Sequence, residues 1–564
     1  MRKKVCFPML AVGLVGTFGL WATPAAAPKP LKPVAVVCFA GYNELKADVA
    51  FVGKISGRPR LADNLEAALE LFTGGKGLAG LDKSRPWGAV IQTDGDEFTG
   101  YAFFPVTDLE ALVKVVEPYA RRVEQLDGGV YKIVGKGFKA ETIYVQEQLP
   151  GWAIAAKKPE LLVVAAADPT GLIEGPAKQY DVSAQILAAN MPEKLRQKAI
   201  ADLKANARKD LKRKRGESDR EHALRKQLSD EIVKSVATVL NDVDKVTLGW
   251  SLDHKTEKTY VDVNITAKKG SETARAAAAL KTAKTGFGGF RLPEAAVSGN
   301  WTGKMPEKKI AILSAVVEAV RDQAMTDIEK ENKPDAEKQA AKKMAGDVFD
   351  VAAATIKAGT VDGGMAVLLS PNSVTAIAGG RIADTEKLDE LAKQLTAVVR
   401  LENPAAGEWI KLDAGRCKGV RLHTASIPIP DDAEDREKVV GLIGEKLEVV
   451  IGFGDDSAYV AVGRDAMSTL KKAIEQSADE ASQPVPPVRL SLALRPIAEF
   501  VAKVGEAKDR PKAALIAEEL AKTSGGDRVH LVAAAIPDGV RYRLEVEKGL
   551  VRLLGHLKEM EGQN

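Results

Sequence analysis

Three short motifs in the 564-residue chain have the residue types of an acyl-enzyme serine hydrolase: Ser468-Thr-Leu-Lys471, Ser298-Gly-Asn300 and Lys284-Thr-Gly286. In that chemistry a lysine beside the serine manages its proton. The nucleophile motif comes first in the chain and K-T-G comes last. Here the order is reversed, and Lys284 and Ser298 flank a glycine-rich linker far from Ser468. Chance explains three such short matches better than catalysis does. No G-x-S-x-G elbow is present.

Gly75-Lys-Gly77-Leu-Ala-Gly80 matches G-x-G-x-x-G letter by letter. A dinucleotide site needs a strand before the glycines and a helix opening on them, because the helix N-terminus holds the pyrophosphate. These glycines instead follow an amphipathic helix, Leu61 to Phe72, and precede a loop. They are expected to end that helix.

The histidines are His222, His254, His423, His530 and His556, and none lies three or four residues from another. His423 and His530 fall in strands, where packing is the simpler role. Asp94, Asp96 and Glu97 share one turn, as do Asp455 and Asp456, but EF-hand spacing is absent. No catalytic, cofactor-binding or metal residue is assigned, and no cofactor is expected. From Glu193 to Lys234 there are 14 basic and 8 acidic residues, densest at Lys209–Arg215. No aromatic side chain interleaves with them to stack on bases. The alternating signs suit a solvated helix, so no nucleic-acid partner is expected.

The elements that must position any site are organised around 87–116, WGAVIQTDGDEFTGYAFFPVTDLEALVKVV. It reads as strand, Asp94-Gly95 turn, strand, and a helix capped near Thr107-Asp108. The same grammar returns at 364–399, with Asp384 in the place of Asp108. Around these stretches the order of elements repeats. Ala295–Gly299 answers the opening strand at 33–41, Glu408–Leu412 answers 129–134, and Gly419–His423 answers 140–145. Ser457–Val462 answers 151–156, and the hairpin at 529–546 answers that at 246–267. The fold class expected is α+β: two tandem homologous modules, each a mostly antiparallel sheet with helices packed on one face. Module one spans 28–285 with a charged helical insertion at 192–243. Module two spans 286–564 with a charged helical segment at 306–358.

Arg2, Lys3 and Lys4, the apolar run Cys6–Trp21 and the small residues Ala22–Ala27 read as a signal peptide, residues 1–27, cut near Ala25 to Ala27. The protein is therefore expected to be secreted or periplasmic, with no membrane span after removal of the signal. Without the three leader cations the net charge is +1, which favours no polyanionic partner. Cys38 and Cys417 remain, and sparse cysteine argues against a disulfide scaffold.

The W-G-A-V of Trp87–Val90 and the F-F-P-V-T-D of Phe103–Asp108 leading into a helix, together with the leader and the repeated modules, resemble large secreted proteins of planctomycete-type bacteria. The resemblance spans most of the mature chain and implies no activity and no site residues. The reading is an exported, non-enzymatic protein with a structural or binding role in the periplasm or cell envelope, its partner an unknown envelope protein. The alternative is a periplasmic carrier of an apolar ligand held between sheet and helices. An enzyme with an unrecognised site ranks last.

Overall fold

The computed structural model describes residues 31–136, 141–164, 170–213, 219–523 and 526–561. The expected leader lies outside the described residues, as does part of the basic core Lys209–Arg215. The chain separates into two compact units. One comprises the residues up to Ile200, Val239–Ala274 and Arg543 onward, and the other comprises Ala201–Thr238 and Arg275–Tyr542.

In the first unit, β1 (Lys32–Phe39) alternates along its length, burying Val34, Val36 and Cys38 on one face. β2 (Trp87–Thr93) and β3 (Phe98–Pro105) form the central hairpin. Its turn is built by Asp94, whose Oδ1 accepts the backbone N–H groups of Asp96 and Glu97, both at 2.9 Å. The carboxylate thus does the work of a turn. Asp108 then caps the helix Leu109–Val116, its Oδ1 accepting from the Ala111 N–H at 3.0 Å.

The remaining strands are β4 (Ala120–Gln125), β5 (Tyr131–Gly135), β6 (Thr142–Leu149), β7 (Trp152–Ala156), β8 (Val182–Ile186), β9 (Val243–Asp253) and β10 (Lys258–Ala267). All pairings are antiparallel, in the order 4-5-6-7-3-2-1-8-9-10.

The second unit holds β11 (Val297–Lys304), β12 (Thr360–Ser370), β13 (Ser373–Arg381), β14 (Ile410–Cys417), β15 (Val420–Pro428), β16 (Lys446–Phe453), β17 (Ser457–Gly463), β18 (Val488–Ala493) and β19 (Arg528–Ile536). Its strand order is 14-15-16-17-13-12-11-18-19, again antiparallel throughout. β20 (Gly539–Glu547) follows, crossing into the first unit's residues at Arg543. The two orders match place for place.

That match moves two expected correspondences by one strand. β14 stands where β4 stands, and β15 where β5 stands, so 408–412 does not answer 129–134. The sequence reading passed over β4 and β16. β4 is a sheet edge with Arg121 and Arg122 exposed, so it carries no apolar alternation to detect.

Helices also pack on both faces of each sheet, not one. In β7, Trp152, Ile154 and Ala156 pack with Leu162 and Ile173 of the helices Glu160–Val164 and Thr170–Ala177. Ala153 and Ala155 turn the other way, to Leu109 and Val113. An apolar run buried on both faces cannot show the clean alternation of a half-wet strand. In the second unit, Ala366, Ile377, Leu422 and Ala461 pack with Leu470 and Ile474 of the helix Ala466–Glu480. The helix Thr385–Glu402 meets the opposite face through His423, the residue after Leu422.

Candidate functional site

An apolar chamber of the first unit lies between the sheet and the helix Leu109–Val116. Its volume is about 420 Å³. The sheet contributes Trp87, Phe104, Ile133, Ile143 and Val145, and the helix contributes Leu112, Val113 and Val116. Its lining is almost wholly apolar, without a charged side chain. The position follows from the period of each element. Phe104 and Ala155 sit on the strand face opposite the Phe103–Ile154 core, and Leu109, Leu112, Val113 and Val116 recur at helical spacing.

A second cavity in the same unit, about 290 Å³, is walled by Leu45, Val49, Val52, Leu61, Leu65 and Trp250, with Asp48 as its one charged lining residue. Asp48 is buried on the helix Tyr42–Ile55. Its Oδ1 lies 2.7 Å from His254 Nε2, in the turn between β9 and β10. Its Oδ2 is buried and has no hydrogen-bond partner among the described residues. Burial raises the Asp48 carboxyl to about 6, against the opposing pull of the His254 hydrogen bond.

The second unit has its own aspartate–histidine pair, Asp389 and His423, with 2.7 Å between Oδ1 and Nε2. His423 Nδ1 accepts the backbone N–H of Asp413 at 2.9 Å, so Nε2 carries the ring proton and donates to Asp389. Asp389 Oδ2 takes Lys393 Nζ and Arg421 Nη2, each at 3.0 Å. Burial works to raise this carboxyl, but Lys393, His423 and Arg421 together hold it below the ordinary carboxylate range. Both oxygens are satisfied.

A further polar cluster in the first unit is closed in the same way. Arg543 clamps the fully buried Asp262 with two 2.8 Å bonds, and Tyr180 Oη donates to the same carboxylate at 3.0 Å. Burial pushes the Tyr180 hydroxyl up to about 12. Gly249 lies flat under the Tyr180 ring, where a Cβ would come within 2.4 Å of it.

The residues weighed from sequence stay apart. Ser468 Oγ donates to the Asp465 carbonyl at 3.0 Å at the start of its helix, while Asn300 Oδ1 accepts from Arg489 Nε at 2.9 Å. The Lys284 carbonyl accepts from Thr302 Oγ at 2.7 Å. No hydrogen bond joins one of the three serine-hydrolase motifs to another among the described residues. Gly74 and Gly75 take left-handed φ values of 64° and 82°, and the Gly75 N–H returns to the Glu70 carbonyl at 2.7 Å. They close the helix Leu61–Phe72.

Among the described residues no three His, Cys, Asp or Glu side chains gather as a metal site, and no helix is long and apolar enough to cross a membrane. Cys38 and Cys417 are both free and buried, and burial pushes the Cys38 thiol up to about 12. Sequence reasoning missed both aspartate–histidine pairs. Their members stand 206 and 34 residues apart, and only the packing of a helix against the sheet or its turn brings them together.

No family model, no curated protein and no solved structure matches the chain.

Proposed function

We propose that the protein is an exported, non-enzymatic binding protein whose first unit carries an apolar ligand in the chamber under the helix Leu109–Val116. The observation that carries this reading is the chamber itself, about 420 Å³ and lined by aliphatic and aromatic side chains. Pockets for small molecules are commonly of this size and character. Apolar surface moved from water into such a chamber gains about 25 cal/mol per Å². The absence of a charged lining group favours a neutral occupant there. Export rests on the leader at 1–27. We read the matched strand orders as a tandem duplication, one copy of which kept an apolar interlayer.

A second reading, docking of a protein partner, is favoured by one surface of the second unit. Val297, Met365, Leu490, Leu492 and Leu531 line a shallow apolar groove of about 270 Å³ on the sheet. Leu490, Leu492 and Leu531 are exposed there.

Native mass spectrometry of the full chain purified from cells tests the first reading. A retained apolar adduct is expected, and it should be lost when Leu112→Trp fills the chamber. A native protein that never carries an adduct, before or after incubation with lipid extract, sinks the carrier reading.

A further inference from the structure

The mouth of the apolar chamber is rimmed by exposed apolar side chains and by lysines without an acidic partner. We infer that this rim docks the protein on the surface of a lipid bilayer containing anionic lipid, so that an apolar occupant passes between bilayer and chamber without crossing water. The purpose of such docking rests on the carrier reading, while the docking itself stands on the rim.

The helix Leu61–Phe72 ends on Leu71 and Phe72, which are 82% and 58% exposed. Among the described residues no other two consecutive large hydrophobic side chains are both more than half exposed. The pair stands beside the chamber. Leu78 and Leu81, on the segment that follows, line it. Lys76, between them and Phe72, donates its Nζ to the Lys114 carbonyl of the helix Leu109–Val116 at 2.9 Å. Val116 and Tyr119 line the chamber and are also exposed. Residues that line a cavity and meet water mark its opening.

The charges at this opening favour an anionic surface. Lys76 and Lys136 are exposed and bond only to neutral carbonyls among the described residues, those of Lys114 and Pro118. Lys114 is paired with Glu110 and Arg122 with Glu124, which leaves Lys76, Lys136 and Arg121 against Glu70 and Glu117. Exposed aliphatic tips, an aromatic ring at the boundary and lysines that reach past them form a set that settles in the headgroup layer. The chamber gives a second reason for a bilayer. An apolar occupant is costly to carry through water, so its loading needs a mouth that touches the phase dissolving it.

The test is co-sedimentation of the full chain with vesicles of phosphatidylcholine alone and of phosphatidylcholine mixed with phosphatidylglycerol. Binding should be at least about fivefold stronger on the anionic vesicles, and added salt should remove that preference. Leu71→Ser with Phe72→Ser should weaken binding to both vesicles at least about thirtyfold. Lys76→Gln with Lys136→Gln should cost about tenfold on the anionic vesicles alone. Unchanged urea unfolding shows that each variant is folded. Titration without vesicles of N-phenylnaphthylamine, a neutral apolar probe, reports on the chamber separately. A native protein that binds neither vesicle, or a Leu71→Ser/Phe72→Ser variant that binds as the native does, overturns the proposal. So does a native dimer that the same variant splits into monomers, because a second copy then covers the patch. Vesicle binding that this variant loses, in a protein that takes up no probe, upholds the docking and counts against the carrier reading alone.

Discussion

The layer between sheet and helix after the third strand of each unit is apolar in one and charged in the other. The two central hairpins share a register: Val90 faces Tyr101, and Ala366 faces Ile377. The displacement along the chain that carries Tyr101 onto Ile377 also carries Asp108 onto Asp384 and Val113 onto Asp389. Across the sheet, Tyr131 pairs with Val145 where His423 pairs with Ile451. So Val113 and Tyr131 in the first unit occupy the places of Asp389 and His423 in the second. The helix differs too, 8 residues at Leu109–Val116 against 18 at Thr385–Glu402, and only the longer one supplies Lys393. The corresponding layer thus holds a chamber in the first unit and a saturated ion cluster in the second. Asp48 and Asp389 make the same contrast. Both are buried and bonded to a histidine, but Asp389 spends both oxygens and Asp48 only one.

Exchanging the two identities should give the largest effects. Val113→Asp puts an unpaired carboxylate into the apolar chamber and should cost about 3–5 kcal/mol of first-unit stability, read from urea unfolding. Apolar-probe binding should fall with it.

Asp389→Val leaves the buried His423 donor unpaired and strips Lys393 and Arg421 of their common partner. Those two cations are 35% and 34% exposed and can turn to water. The loss should therefore be nearer about 3 kcal/mol, and adding His423→Phe should restore at least about 1 kcal/mol of it. This loss should vanish in acid. The Asp389 carboxyl is held low in the folded state, so its contribution is present above the ordinary carboxylate range and disappears as pH falls below it.

Asp48 has the opposite sign. Its folded value, about 6, lies above the unfolded one of 3.8, so protonation favours the fold and that stability is lost as pH rises through about 6. Asp48→Asn should therefore gain about 2–3 kcal/mol relative to the native chain at pH 8 compared with pH 4. A melting-temperature difference that is flat over this range would contradict the burial-driven shift.

The smallest effect belongs to the hairpin tip. Asp94→Ala removes two acceptor bonds at an exposed turn and should cost about 0.5–1 kcal/mol without altering probe binding.

The sequence disclosed the central hairpins, the Asp108 cap and the glycine helix end at Gly74 and Gly75. Each of these is written in local spacing. The polar edge strand β4 was hidden because it shows no period of two in apolar residues. The candidate site was less legible still. Tyr42, Phe104 and Ile143 come from three segments, and nothing local marks them as sharing one wall. His423 packs in its strand against Phe453, but its hydrogen-bond partner could not be read from the sequence. Its buried ring proton goes to a carboxylate from the helix on the far side of the layer.

Fluorescence titration of the full chain with N-phenylnaphthylamine tests the central claim most directly. The account predicts saturable, blue-shifted binding that Leu112→Trp abolishes and Asp389→Val leaves intact, because the chamber belongs to the first unit. Binding that survives Leu112→Trp, or that Asp389→Val removes from a folded protein, would contradict it.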